Sequence, residues 1–184
     1  RLTKKNHQGV FAFLSPVDFH KIEDVIPRLY EEGKNPLILV LDRITDVRNL
    51  GAIARTAECA GIHTILIPEQ NSAAINGDAV KTSSGALHKI PISRTWNLKL
   101  SLQLIKDSGI QLIGCTEKTQ DFIYNADFCK PTAIIIGSEE DGISKEILKM
   151  CDMKTKIPIN GSISSLNVSV ATGIISYEAI RQRN

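Results

Sequence analysis

Three stretches of this chain bring together residue types that can bind or react. The first, residues 42–57, sets Asp46, Asn49 and Arg55 among small and apolar neighbours. Asp46 or Asn49 can cap a helix beginning there. Arg55 follows about a turn and a half into that helix and is costly to bury without a partner. It is either exposed or ion-paired, or it faces a phosphate or a ribose hydroxyl. The second stretch is Gly137-Ser138-Glu139-Glu140-Asp141-Gly142. Gly137 lets a ligand approach the backbone, and Gly142 allows a turn. Three adjacent acids and the lack of a Gly-Lys-Ser/Thr ending exclude a polyphosphate cradle. A ligand with a cationic or hydroxyl-bearing part fits; a solvated acidic turn is the plain alternative. The third stretch, residues 157–173, runs from an apolar strand end through a Gly/Ser-rich loop straight into a helix. Backbone N–H groups and a positive dipole end make that junction a possible small-molecule or anion site. Ser162, Ser164, Ser165 and Asn167 crowd there, more side chains than one cap needs.

The elements that must position these loops follow an alternating pattern. Residues 37–41, 64–67, 110–115 and 133–136 are continuous apolar runs, as in strands buried on both faces. Residues 50–60 read as a helix closed by Gly61, and residues 97–107 as a helix with Gly109 after it. Short helices are expected over 78–83 and, capped by Ser144, up to Met150. Short strands are expected over 87–92 and 155–159. The last helix runs to about Arg183, with Arg181 and Arg183 suited to its C-terminal end. It is apolar through Val168, Val170, Ala171, Ile174 and Ile175, with a small polar stripe of Ser169, Thr172 and Ser176. Such a helix is buried on most faces, in the core or against a partner subunit. Strands alternating with helices predict an α/β fold: a mostly parallel open sheet with helices on both faces. Ligands then sit at the carboxyl ends of strands, where all three stretches fall.

Residues 1–35 differ from the rest. Arg1, Lys4, Lys5 and His7 make a basic start, and residues 10–14 form a short apolar run. Residues 18–32 have helical spacing interrupted by Pro27. This reads as a lead-in or linker that docks on a main domain of residues 36–184. A first residue other than Met suits a trimmed or processed chain. Net charge is only +2, so no global field demands nucleic acid. Cys59, Cys115, Cys129 and Cys151 are scattered without a CxxC pair, which argues against a zinc site or a disulfide framework. No apolar run reaches membrane-spanning length, so a cytoplasmic location is the expectation, with no metal and no membrane partner.

In this order the three stretches closely resemble the SpoU/TrmH group of the SPOUT RNA methyltransferases. The first motif reads Asn49-x-Gly51-x-x-x-Arg55-Thr56-Ala57 with Gly61 closing it; the second, Gly137-x-Glu139-x-x-Gly142; the third, Ile157-Pro158 and then Ser165-Leu166-Asn167-Val168-Ser169-Val170-Ala171. The resemblance spans residues 37–183. The Gly161 to Ile174 stretch and Asn49-Leu50-Gly51-Ala52 are most similar to the bacterial 23S rRNA guanosine 2′-O-methyltransferase subgroup. His7-Gln8-Gly9-Val10 looks like that subgroup's link after an N-terminal RNA-binding domain. Val47 departs from the family, which usually has Pro there, and is expected to change loop stiffness rather than chemistry.

The resemblance implies a C-terminal deep trefoil knot, a homodimer and S-adenosylmethionine bound in the knot. It implies that Gly137, Ile157 and Leu166 hold the cofactor, with Thr116 as a further candidate. Asn49, Arg55, Glu139, Ser165 and Asn167 match the catalytic set. The reaction would move a methyl group to a ribose 2′-hydroxyl of RNA, a guanosine of 23S rRNA by the subgroup resemblance. The family casts Arg55 as the base, yet a guanidinium is effectively never deprotonated. Arg55 can equally hold a phosphate and stabilise alkoxide charge, and Glu139 can order the loops or pair with Arg55. A tRNA or another rRNA site is the nearest alternative substrate. A dinucleotide-binding oxidoreductase is opposed by the lack of G-x-G-x-x-G after the first strand, and a non-catalytic RNA-binding relative by the presence of Asn49, Arg55, Glu139 and Asn167.

Overall fold

In the computed structural model the described residues are 16–184. The basic start, the apolar run 10–14 and the His7–Val10 motif lie outside them. Seven strands form one sheet: β1 (Phe19–His20), β2 (Leu37–Asp42), β3 (Thr64–Pro68), β4 (Ile92–Thr95), β5 (Gln111–Cys115), β6 (Thr132–Gly137) and β7 (Met153–Thr155). Their order is β1-β4-β3-β2-β6-β5-β7, and every pairing is parallel. Six helices cover it: α1 (Ile22–Glu31), α2 (Val47–Cys59), α3 (Gly77–Thr82), α4 (Leu98–Asp107), α5 (Lys145–Met150) and α6 (Val168–Arg183).

Period-two alternation splits the central strands between two cores. Leu37, Leu39 and Leu41 of β2 join Ile134 and Ile136 of β6 under α2, α3 and α6. Ile38 and Val40 join Ala133 and Ile135 under α1, α4 and α5. Helices therefore lie on both faces, as an unbroken apolar strand pattern requires. Gly61, at φ +69°, closes α2: its N–H donates to Glu58 O and the Ile62 N–H to Ala57 O. That pair is a Schellman motif. Gly51 lets α2 and α3 touch, because a Cβ there would meet Ala79 O at 2.8 Å.

Several local expectations are corrected. Pro27 does not interrupt α1. The helix loses one internal bond, but Ile22, Val25, Ile26 and Leu29 anchor it in the core on both sides of the ring. Residues 18–20, expected as helix, lie outside α1, and Phe19–His20 form the edge strand β1. The strand expected over 87–92 is a 3₁₀ turn, Ala86–His88, followed by β4, with Leu87 and Ile90 serving as core anchors. β7 begins at Met153 and stops at Thr155, where its partner β5 ends at Cys115. The Ser144 side chain caps nothing; its backbone N–H donates to Asp42 Oδ2 at 2.7 Å.

The last helix buries part of its small polar stripe along with Val168, Ile175 and Ala179. Thr172 and Ser176 are fully buried, whereas Val170, Ile174 and Tyr177 are exposed. The small polar stripe faces α2 because small residues permit close approach: a Cβ on Gly173 would stand 3.6 Å from Thr56 Cγ2. The Thr172 hydroxyl is satisfied by Val168 O at 2.7 Å. Arg183 does more than complement the helix end. Its guanidinium donates to the carbonyls of Phe128, Asn35, Pro36 and Lys130, tying α6 to the chain before β2 and β6.

Candidate functional site at the carboxyl ends of β2 and β6

β2 and β6 are neighbours, and Asp42 stands opposite Gly137 at their carboxyl ends. The chain leaves β2 toward α2 on one face and β6 toward α5 on the other. That divergence is a topological switch point, where open α/β sheets bind ligands.

One side chain joins all three motifs there. Asn167 is the N-cap of α6, and its Oδ1 accepts from the N–H groups of Ser169 and Val170. Its Nδ2 donates to Asn49 Oδ1 at 3.0 Å and to Glu139 Oε1 at 2.7 Å. Glu139 Oε1 also accepts the Val168 N–H at 3.1 Å. Asp46, not Asn49, caps α2, accepting the Asn49 N–H at 2.7 Å. Asn49 is thereby left to face Asn167. Glu139 is occupied by Asn167 and α6, so it does not pair with Arg55. The first three N–H groups of α6 are satisfied within the chain, which removes the open anion site that its Gly/Ser approach suggested.

Two cavities flank this cluster. An open cavity of about 250 Å³ is lined by Thr116, Gly137, Ile157 and Leu166, together with Glu139 and Ser165. All four residues expected to hold a cofactor thus share one wall system. A second, of about 480 Å³, is lined by Asn49, Asp46, Arg43, Asn71 and Glu140, and again by Glu139. Arg55 lines neither. It is exposed on α2 with no hydrogen bond or ion pair among the described residues. Ser165 lines the first cavity but takes no part in the hydrogen-bonded cluster.

Gly137 has a different local reason from the expected one. A Cβ there would collide with the backbone of Gly142 and Ile143, so the glycine is required first by the turn that closes its own loop. Ser138 O accepts the Gly142 N–H at 3.0 Å in that turn.

Sequence reasoning missed Arg43. It holds a left-handed backbone at φ +63°, which costs a non-glycine residue about 1 kcal/mol or more. Its guanidinium donates to Asp141 Oδ2 at 3.1 Å and to Gly142 O at 3.0 Å. Its Nε lies 3.4 Å from the buried Asp42 carboxylate without hydrogen-bond geometry. Arg43 thus fastens the first loop to the second independently of Asn167. The only signal was an Asp-Arg pair directly after an apolar strand. Cys115, on the first cavity's wall, has its thiol pushed up to about 12 by burial and by the nearby Glu117 charge.

Among the described residues no group of three or more His, Cys, Asp and Glu could hold a metal ion. None of their helices is long and apolar enough to cross a membrane.

Comparison with known proteins follows the same residues. The model of the SpoU rRNA Methylase family matches residues 36–177. The 23S rRNA (guanosine-2′-O-)-methyltransferase RlmB of Photorhabdus laumondii is 38% identical over 97% of this chain and 72% of its own length. The Putative TrmH family tRNA/rRNA methyltransferase YacO of Bacillus subtilis is 36% identical over the same shares. Among solved structures, the SpoU methyltransferase AviRb from Streptomyces viridochromogenes in complex with the cofactor AdoMet superposes with a TM-score of 0.76 at 32% identity. That match covers 81% of this chain and 61% of AviRb. The A. aeolicus TrmH/SpoU tRNA modifying enzyme gives 0.74 at 33% identity, over 88% and 84%. With its three motifs gathered at one switch point, the chain belongs to the SpoU rRNA methylase family.

Proposed function

We propose that the chain transfers a methyl group from S-adenosylmethionine to the ribose 2′-hydroxyl of a guanosine in 23S rRNA. The observation that carries this reading is the pair of cavities meeting at Glu139, one lined by all four cofactor candidates and the other by Asn49. The first cavity fits the cofactor in kind. Ile136, Ile157, Leu166 and Ala171 offer apolar wall, and Thr116, Ser138 and Ser165 offer polar groups. When bound, S-adenosylmethionine supplies a methyl group on a sulfonium whose thioether leaves as a neutral group. The residues of the chain then need only place the acceptor in line and stabilise charge as it forms; placement alone is worth several kcal/mol. Asn49, Asn167 and Ser165 orient the loops and the hydroxyl. Glu139 fixes Asn167 and the start of α6. Arg55, exposed on α2 and outside both cavities, is placed to hold an RNA phosphate with its planar fork, and the hydroxyl gives its proton to water.

A homodimer and a C-terminal trefoil knot belong to the same reading. Val170, Ile174 and Tyr177 make an exposed apolar stripe on α6 that a second copy would cover. After β7, on the far side of β5, the chain must return to pack α6 against α2. That return path is the one a knot would use. Residues 36–184 form the transferase domain in this reading, with β1 and α1 of the lead-in docked on its sheet and core. The segment before them links it to an RNA-binding domain, and the enzyme works in the cytoplasm.

Calorimetry comparing S-adenosylmethionine with NAD, then transfer of labelled methyl to 23S rRNA fragments, tests the proposal. Binding of the first cofactor alone and label on a guanosine ribose are expected. Binding of NAD alone would overturn the reaction class, and label on tRNA alone would overturn the substrate.

A further inference from the structure

The chain has a single tryptophan, and it is not in a core. Trp96 is 76% exposed, immediately after β4. Indole is the largest apolar side chain and is seldom left so bare without a contact to make. Its position does not serve the helix that follows. Asn97 caps α4 by accepting the Leu100 N–H. A hydrophobic staple would pair Trp96 with position 101, but Ser101 is buried and bonded to Thr95 Oγ1 at 2.9 Å.

Trp96 has a cationic neighbour two residues before it in the chain, near the end of β4 and before the bend that carries the indole. Arg94 is exposed, with its guanidinium carbon 4.8 Å from the Phe19 ring centroid. Among the described residues its guanidinium donates to Glu69 O at 3.4 Å, one of the five donors it carries. Glu69 in turn donates its N–H to Thr95 O at 2.8 Å, next to the indole. Two residues on, Asn71 lines the second cavity, where Asn49 stands. Two residues span about 7 Å, which places the indole on the order of 10–15 Å from the cavity rim. The carboxyl end of β4 faces the same way as those of β2 and β6, because all pairings are parallel.

We propose that Trp96 and Arg94 form a platform for RNA flanking the acceptor nucleotide, the indole stacking an unpaired base and the guanidinium contacting an adjacent phosphate. This rests on the methyl-transfer reading above. An aromatic face beside a cation suits single-stranded RNA, whose unstacked bases take aromatic platforms and whose phosphates take Arg. It suits a second protein copy less, since the apolar stripe of α6 lies on the other face of the sheet from α4.

The sole tryptophan reports on its own role. Titrating the full chain with a short single-stranded RNA should quench its emission in a saturable way that weakens with salt. Trp96→Ala should raise KM for RNA about ten-fold with kcat little changed, and Trp96→Phe should restore most of it. Arg94→Gln should lower the salt slope of RNA binding by about one. Unmoved emission at RNA concentrations that saturate methyl transfer would overturn the platform while leaving the reaction intact. Blue-shifted emission that depends on protein concentration alone would overturn it in favour of a second copy. Quenching without methyl transfer to any RNA would sink the reaction and keep the platform.

Discussion

The two cavities that meet at Glu139 are built differently. The cofactor side is walled by β6, the loop after β7 and the start of α6, with Ile136, Ile157, Leu166 and Val168 prominent. Its shape follows from backbone and packing. The acceptor side is walled by Arg43, Asp46, Asn49, Glu140 and Asp141, and its loops are held by side-chain hydrogen bonds. The first is a product of the sheet and its helices. The second depends on a few polar contacts, and Arg55 stands outside it. Under the proposed assignment, a cofactor pocket made by the fold beside an acceptor site made by side chains predicts that single substitutions will separate the two activities.

The largest effect should come from Asn167→Ala. It removes the contacts to Asn49 and Glu139 and the cap of α6 together. Loss of the cap costs about 1 kcal/mol of stability. Displacement of the acceptor loop by a fraction of an ångström to one ångström should lower kcat/KM about 100-fold. Affinity for S-adenosylmethionine, measured by calorimetry, should fall less than about ten-fold. Equal losses on both sides would show that the cavities are one unit.

Arg55→Lys should have a smaller and one-sided effect. The charge stays but the planar fork is lost. We expect kcat/KM for RNA to fall about ten-fold with cofactor affinity unchanged, since Arg55 lines neither cavity. Near-normal turnover would argue against a bidentate phosphate contact.

The sheet was legible because its strands are buried on both faces, and continuous apolar runs such as 37–41 and 133–136 have few other uses. The motif residues were legible as types but not as contacts. Nothing in the spacing of Asn49, Glu139 and Asn167 says that one amide will bond the other two, because those bonds join residues 28 and 118 positions apart. Gly137 was singled out for ligand approach, whereas the need for glycine there lies in the turn to Gly142, a contact that spacing does not show. The last helix misled for a physical reason. Its inward face mixes Thr172 and Ser176 with Ile175 and Ala179, while Val170 and Ile174 stay exposed, so hydrophobicity alone does not mark the buried side of α6. Arg43 left only the Asp-Arg pair after the strand as a signal, since its role rests on a left-handed backbone that sequence does not advertise.

The smallest effect concerns how dry the cofactor side is at its floor. Cys115 ends β5 there, and burial followed by the Glu117 charge pushes its thiol from the ordinary 9.0 to about 12. Cys151, behind β5, is pushed to about 11, chiefly by burial. A raised folded value means the folded chain keeps protons that the unfolded chain loses. The stabilisation is complete below pH 9 and is lost as pH rises toward 11 and 12. The denaturant midpoint should therefore fall between pH 9 and 10.5, and Cys115→Ala should flatten that fall by about 1 kcal/mol. At pH 8 iodoacetamide should label the exposed Cys59 well before Cys115. Labelling of Cys115 at the rate of Cys59 would mean that water reaches the floor freely. The cofactor side would then be as loosely built as the acceptor side, and the contrast between the two cavities would fail.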